Sequence, residues 1–309
     1  MRGERVLVTG ASGFIGRHLC RRLLQEGTTV FGVSRSSAPE LTDGLHWLRA
    51  DLTVMEEVRR VLVAAEPTVI YHLASHVKGA PDLTHVLPTF GGTLQTTVNL
   101  LMGVAERGSR RLVLSGSLVE PTTREPGAVP SSPYAAAKWA AGDYARMFHA
   151  LYGLPTVIAR VFMAYGPAQR DESKLVPYVI RSFQAGRAPQ ITTGRRRIDW
   201  VYVDDVTRGL VALGRADGVE GRTVDLGSGT LVSIRQLVEA LALAVGTRLQ
   251  ASFGALPDRP LEPERRADLE DTARRIAWAP TVGLEEGLRR TVAWYERHGE
   301  APAPRSSMA

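Results

Sequence analysis

The run Val6-Leu-Val-Thr-Gly10-Ala-Ser-Gly13-Phe-Ile-Gly16 does most to limit what this chain can fold into. Three apolar residues and a threonine lead into glycines spaced three apart, and apolar side chains then recur at Ile15, Leu19 and Leu23, a helical spacing. A strand that turns on glycines into a helix lets backbone approach a ligand closely. It also aims amide groups of the helix N-terminus at an anion. The pattern predicts that Gly10, Ser12, Gly13, Phe14, Ile15 and Gly16 hold the pyrophosphate of a dinucleotide.

The alternation continues through the first half. Strand-like runs at Arg5–Thr9, Thr29–Val33, Thr68–His72, Arg111–Ser115 and Thr156–Val161 are separated by stretches of helical apolar spacing, and a further strand ends before Asp51. Such repetition predicts a parallel sheet covered on both faces, since a crossover helix is what brings parallel strands side by side. The fold class expected is α/β, a doubly wound parallel sheet of the Rossmann type with a smaller, mixed α/β C-terminal region for substrate. After about Gly166, proline, glycine and arginine become denser. The expected division is 1–165 for the dinucleotide, with 199–215 returning to it, 166–298 for substrate and 299–309 as a flexible tail.

The second strand leads into Ser34-Arg35, where cofactor choice is made. A carboxylate there accepts from a ribose 2′-hydroxyl, whereas a hydroxyl and a guanidinium suit a 2′-phosphate. Ser34 and Arg35 therefore favour NADP(H), with NAD(H) the alternative. Asp51-Leu52 are placed to contact the adenine, and Asp51 or Thr53 is equally suited to cap the helix that follows.

Further on, Ser131-Ser132-Pro133-Tyr134-Ala-Ala-Ala-Lys138 opens a helix, with a serine cap and a proline in the first turn. Tyr134 and Lys138 are four apart and share a face. An ammonium beside a phenol is expected to lower the phenol's pKa and make Tyr134 an acid/base near neutrality, while Lys138 also holds a ribose hydroxyl. Ser117 continues past the strand that begins at Arg111, at the carboxyl end where this architecture collects its chemistry; Ser115, its rival, lies one strand position earlier, on the opposite face from Gly116. The trio predicts an enzyme that moves a proton at a carbonyl or alcohol oxygen while nicotinamide takes or gives hydride. His76 and Lys78 follow the fourth strand at the presumed cleft mouth, within reach of a substrate. Asp204 and Asp205 look like a metal pair, but Asp205 is expected to cap the next helix and no metal is expected, since this hydride chemistry needs none.

Composition narrows the classes further. A chain of 309 residues, 44% hydrophobic, can bury a large core. No apolar run approaches the ~18 to 20 residues of a bilayer span, and Met1 leads straight into a charged stub, so a cytoplasmic protein is expected. The single Cys20 rules out an internal disulfide and fits a reducing compartment. A net charge of +6 raises nucleic acid as a partner. The densest basic run, Arg195–Arg197, has no aromatic ladder around it, so none is expected. Of 38 basic residues only Lys78, Lys138 and Lys174 are lysines.

Taken together, these residues resemble the extended short-chain dehydrogenase/reductase family, the nucleotide-sugar epimerases, dehydratases and reductases. The likeness runs from Arg5 to about His298. It is carried by Thr9–Gly16, Asp51-Leu52, His72-Leu-Ala74-Ser75, the Ser117, Tyr134 and Lys138 trio, Ala159–Pro167, Asp199–Asp205, Asp225–Gly229, and Arg259-Pro260 followed by Arg266-Ala-Asp268. The resemblance implies a nucleotide-sugar substrate, Leu73, Ala74 and Phe162 beside the nicotinamide, Arg259 on the substrate diphosphate, and a homodimer through the Tyr134 helix. Departures matter as well. Leu118 and Val119 stand where 4,6-dehydratases carry Asp-Glu, and Glu120-Pro121 stand where most members have Tyr-Gly. Met163 replaces a usual asparagine ligand of the substrate phosphate. Ile198 replaces a usual arginine, for which Arg196, on the same strand face, is the expected substitute.

With the dehydratase carboxylates gone, Ser34-Arg35 points first to NADPH-dependent reduction of a nucleotide-linked 4-keto-(6-deoxy)hexose at C4, as in deoxysugar biosynthesis, with Tyr134 as general acid. The alternative is a nucleotide-sugar 4-epimerase with tightly bound NAD, which needs the same trio. A dinucleotide-binding relative without catalysis is disfavoured by the intact Tyr–Lys pair.

Overall fold

The computed structural model describes residues 3–35, 44–121, 127–259 and 261–298; the expected tail at 299–309, Ser36 and Pro260 lie outside these. The first half alternates β1 (Arg5–Thr9), α1 (Phe14–Gln25), β2 (Thr29–Ser34), β3 (Leu45–Arg49), α2 (Met55–Ala65) and β4 (Val69–His72). A 3-10 turn at Leu83–His85, α3 (Val86–Thr89) and a π-helical stretch at Phe90–Gln95 lead into α4 (Thr96–Arg107). Then come β5 (Arg111–Ser117), α5 (Pro133–Tyr152), β6 (Thr156–Val161) and β7 (Met163–Tyr165). The remainder holds α6 (Leu175–Gln184), β8 (Gln190–Ile191), β9 (Arg197–Tyr202), α7 (Val203–Arg215), β10 (Thr223–Leu226) and β11 (Leu231–Ser233). It closes with α8 (Ile234–Val245), β12 (Ser252–Phe253), α9 (Leu269–Ile276) and α10 (Leu284–His298).

Seven strands form one parallel sheet in the order β10-β6-β5-β4-β1-β2-β3. Alternation along β1 explains how the sheet is covered twice. Val6 and Val8 join the core with Leu19 and Leu23 of α1 and Leu210 of α7, whereas Leu7 points the other way, to Val58, Leu101 and Phe148 of α2, α4 and α5. The strand order reverses beside β1, and open α/β sheets leave their crevice at the carboxyl ends there. A smaller region has its own core around Tyr165, Val179, Trp200, Leu237 and Tyr295, with a three-stranded sheet β11-β9-β7 and a pair β12-β8.

The large sheet takes more from the second half than a segment at 199–215. β10 completes its edge beside β6, and α7 packs over it, whereas β9 pairs with β7 and β11 in the smaller sheet. The four residues of β10 are too short to read as a strand without the partner they pair with. Among the described residues, no helix is long and apolar enough to cross a membrane.

Candidate active site

The glycines of the first turn are each needed for a reason the packing makes visible. Gly10 sits at φ +67°, and a Cβ on it would lie 2.8 Å from the Ala74 amide nitrogen; one on Gly16 would lie 2.1 Å from the Gly10 carbonyl oxygen. The loop is thus pressed against Leu73 and Ala74 at the end of β4. α1 then starts on the extended Gly13 with no side-chain cap, so its first amides are left for an anion. Ser12 and Ser34 bring their hydroxyls to 3.5 Å of each other beside this loop.

Arg35 faces Asp51, whose carboxyl lies below the usual range mainly because the Thr53 amide and hydroxyl donate to it, with the Arg35 charge adding to the effect. The expected helix cap at Asp51 or Thr53 is not what forms. Val54 is the N-cap of α2 and offers no side chain, because the Asp51 carboxylate is already spent on a local turn around Thr53. Leu52 is buried, and Leu73 and Ala74 are partly buried against the two cores.

Behind β4 and β1 lies a closed chain of hydrogen bonds. His72 is 2% exposed; its Nδ1 is 2.7 Å from Thr9 Oγ1 and its Nε2 3.0 Å from Thr97 Oγ1. Thr97 donates to the Thr93 carbonyl, so the Nε2–H tautomer satisfies every member. Burial pushes the imidazole down to about 3.

Ser117, Tyr134 and Lys138 are brought together at the carboxyl end of β5 and the start of α5. Ser132 caps that helix by accepting the Ala135 N–H at 3.2 Å, with Pro133 in the first turn, as expected. Ser117 is the hydrogen-bond partner of the Tyr134 phenol. Lys138 Nζ stands 6.0 Å from the Tyr134 ring centroid.

Two expectations need correcting. Tyr134 is not acidified here: burial pushes the phenol up to about 12, the Ser117 hydrogen bond acts against it, and the Glu120 charge adds to it. The reason is the direction of Lys138, whose ammonium donates to the Ser115 carbonyl at 2.7 Å and to Ser115 Oγ at 2.9 Å. Ser115, set aside as the rival of Ser117, therefore has a role of its own. Its hydroxyl donates to the His72 carbonyl at 3.0 Å and makes it a support of Lys138. Sequence reasoning gave neither Ser115 nor Glu120, a buried carboxyl beside the trio, a part in the site.

The second wall of the crevice is cationic. Lys78 Nζ donates to Ser173 Oγ at 3.1 Å and faces Asp171 at 3.4 Å, and Lys174 Nζ donates to the Val77 carbonyl at 3.0 Å. Burial pulls Lys174 down, Asp171 acts against it, and Lys78 and Arg259 add to it, which puts three cations in one neighbourhood. Arg196 and Arg259 converge on Glu262, Arg259 at 3.2 Å. Arg196 precedes β9 rather than lying on its face, and the pull of Glu262 and the Pro263 carbonyl explains its turn inward. Lys174 was recoverable from the sequence: all three lysines of an arginine-rich chain border this crevice. His76 is half-buried at the rim, its ring 5.6 Å from that of His85, with burial first among the causes that lower it. Met163 is half-buried in β7, and Phe162 is 3% exposed beside Gly227.

Asp205 neither caps α7 nor joins a metal site. Tyr202 takes the cap position, while the Asp205 carboxylate is drawn across to the Thr281 hydroxyl at 2.9 Å and the Val282 amide at 3.0 Å. Among the described residues no group of three or more His, Cys, Asp or Glu could hold a metal.

Residues 6–227 match the model of the NAD dependent epimerase/dehydratase family. The UDP-glucose 4-epimerase of Mycolicibacterium smegmatis is 33% identical over 319 residues, spanning 96% of this chain and 100% of that protein. The dTDP-glucose 4,6-dehydratase of Streptomyces griseus is 32% identical, spanning 95% and 94%. Among solved structures, the Thermus thermophilus UDP-glucose 4-epimerase in complex with NAD superposes with a TM-score of 0.83 at 27% identity, covering 97% of this chain and 100% of that one.

Proposed function

The chain belongs to the NAD dependent epimerase/dehydratase family, enzymes of the short-chain dehydrogenase type, and we propose that it is a nucleotide-sugar 4-epimerase working with tightly bound NAD. The observation that carries this reading is the Ser117, Tyr134 and Lys138 group at the carboxyl end of β5, with Leu118 in the core and Val119 packed against it instead of the acid pair that dehydration requires. The similarity to a 4-epimerase over its whole length supports it.

This reading changes the order of the two cofactors. NADP(H) was favoured because no carboxylate follows β2. Asp51 faces Arg35, however, so the guanidinium already has an anionic neighbour, and the Thermus thermophilus relative is in complex with NAD. Gly10, Ser12, Gly13, Phe14, Ile15 and Gly16 take the pyrophosphate, Ser34, Arg35, Asp51 and Leu52 the adenosine half, and Leu73, Ala74 and Phe162 the nicotinamide half. When bound, the dinucleotide supplies a place for hydride to leave and return. Tyr134 takes the proton of the sugar 4-hydroxyl and later returns it. Ser117 holds that oxygen, and its hydrogen bond to the phenol acts against the effect of burial, while Lys138 holds a ribose hydroxyl of the dinucleotide. Arg196, Arg259, Lys78 and Lys174 hold the substrate diphosphate, with His76 and Met163 at the sugar.

Two further assignments go with this. Residues up to 165 together with α7 and β10 serve the dinucleotide, and the rest serve the sugar nucleotide. A homodimer forms through α5, on which Tyr144, Leu151 and Tyr152 are exposed, together with Leu87 of α3 and Phe90 beyond it.

The test is to release the dinucleotide from purified protein by denaturation and identify it by mass spectrometry. UDP-glucose is then supplied and the C4 configuration of the product followed by NMR. Retained NAD and a C4-inverted product are expected. The runner-up, NADPH-dependent reduction of a 4-keto sugar, rests on Ser34-Arg35; NADPH consumption on such a sugar by protein that retains no dinucleotide would replace the epimerase reading with it.

A further inference from the structure

Three residues past Ser117 the chain buries a carboxyl group. Glu120 is 4% exposed, although glutamate is almost never enclosed unless it is paired. Its Oε1 accepts the Ser117 backbone N–H at 2.5 Å, and the Glu120 N–H closes the turn onto the Ser117 carbonyl at 3.2 Å. Gly116 makes the room: a Cβ there would lie 2.9 Å from Glu120 Oε1 and 2.8 Å from Ile158 Cγ2. A missing side chain in β5 thus admits a carboxyl against the backbone of the reacting serine.

The charged and titratable groups that face this carboxyl are Arg160 of β6 and Tyr134, Lys138 and Arg146 of α5. Two of the three cations have carboxylates of their own. Arg160 is 2.9 Å from Asp225, and Arg146 is 2.6 Å from Asp143. Lys138, 5% exposed, has among the described residues only the neutral oxygens of Ser115. An enclosed ammonium with neutral acceptors alone tends to lose its proton. We propose that Glu120 is a positioning residue, the buried counter-charge that keeps Lys138 an ammonium while its carboxyl fixes the Ser117 amide.

The direction of the shifts agrees. Burial pulls Lys138 down to about 8, and Glu120 is the group acting against it. Burial raises Glu120 itself, whereas the Ser117 amide and the three cations lower it. The other titratable group facing Lys138, His72 of β4, stays neutral above about 3 and supplies no counter-charge. The proposal rests on reading Tyr134 and Lys138 as the working pair, but not on which sugar nucleotide they serve.

Lysine scarcity makes the test direct. Protein labelled with ¹⁵N-lysine carries three side-chain nitrogens, and K78R and K174R assign the Lys138 signal. Its titration is then followed by NMR in the wild type, E120Q and E120D. E120Q keeps an acceptor for the Ser117 amide and removes the charge. It is expected to lower the Lys138 midpoint by about one pH unit or more, whereas E120D holds it within roughly half a unit of wild type. A midpoint unmoved in E120Q overturns the proposal and leaves Glu120 a purely structural acceptor. Should E120Q not fold, the wild type alone decides: the Lys138 signal must carry a second, smaller inflection, where Glu120 takes its proton, well above the pH of about 3 at which His72 charges, and the lack of one there overturns the idea. No sugar enters the measurement, so failure of the epimerase reading leaves this result standing.

Discussion

Replacing Asp199 by asparagine tests how the smaller region is fastened to the crevice. Asp199 is fully buried, at 0% exposure. Its Oδ1 accepts the Ser228 amide at 2.6 Å and the Ser228 hydroxyl at 2.8 Å; its Oδ2 accepts the Gly229 amide at 2.9 Å and the Ala267 amide at 3.0 Å. One carboxylate thereby ties β9 to the turn after β10 and to the segment entering α9. Asparagine has the same shape, so packing is untouched and no cavity opens. Its amide nitrogen, however, can only donate. With Oδ1 retained toward Ser228, the part-buried Gly229 amide and the buried Ala267 amide face another donor. Each stranded buried donor costs about 1 to 3 kcal/mol, so D199N, which strands two, is expected to lose about 2 to 6 kcal/mol. That is a large share of the roughly 5 to 15 kcal/mol a domain has, and it corresponds to a midpoint lower by about 10 °C. Thermal and guanidinium unfolding followed by circular dichroism measure it. A loss below about 1 kcal/mol would mean that the two amides find other acceptors, and the fastening role assigned to Asp199 would be wrong.

Y134F is expected to fold like the wild type and to lose roughly 10² to 10⁴-fold in turnover of UDP-glucose, with retained dinucleotide unchanged; undiminished turnover would remove Tyr134 from the chemistry. G16A places a methyl 2.1 Å from the Gly10 carbonyl oxygen, so the loop must open. Mass spectrometry of the purified variant should find the dinucleotide lost, and full retention would refute the tight fit. His72 predicts an acid-labile fold. Its folded pKa of about 3 lies below the ordinary 6.5, so between these values the unfolded chain binds the extra proton and stability rises with pH, by up to about 1.4 kcal/mol per unit. Denaturant unfolding at pH 4 and pH 7 should show this in the wild type and a flatter response in H72Q. Equal slopes would show that His72 is not held neutral.

The framework of the molecule was legible because its signals are local. Glycines at fixed spacing, apolar runs in β1, β4 and β6, and a Tyr–Lys pair one helical turn apart are each set by residues near one another in the chain. What was not legible depends on residues far apart. Ser115 could not be assigned to Lys138 without knowing that α5 lies over β5. Asp205 could not be moved from a helix cap to Thr281 and Val282 without the return of a segment more than seventy residues later. Glu120 read only as a departure from a family pattern, because the space that receives its carboxyl is made by Gly116 and bounded by β6. The direction of the Tyr134 shift failed for the same cause: spacing on a helix says which residues are neighbours, not which acceptor an ammonium prefers.

The placement of the lysines has a practical side. Beyond the amino terminus, every primary amine on this chain borders the crevice, one at its floor and two at its rim. Coupling to an amine-reactive surface would therefore turn the molecule mouth-down, and a small acylating reagent would act as an affinity label without being designed as one. The many arginines elsewhere are inert to such reagents, so whatever blocks the rim amines should report on occupancy of the crevice.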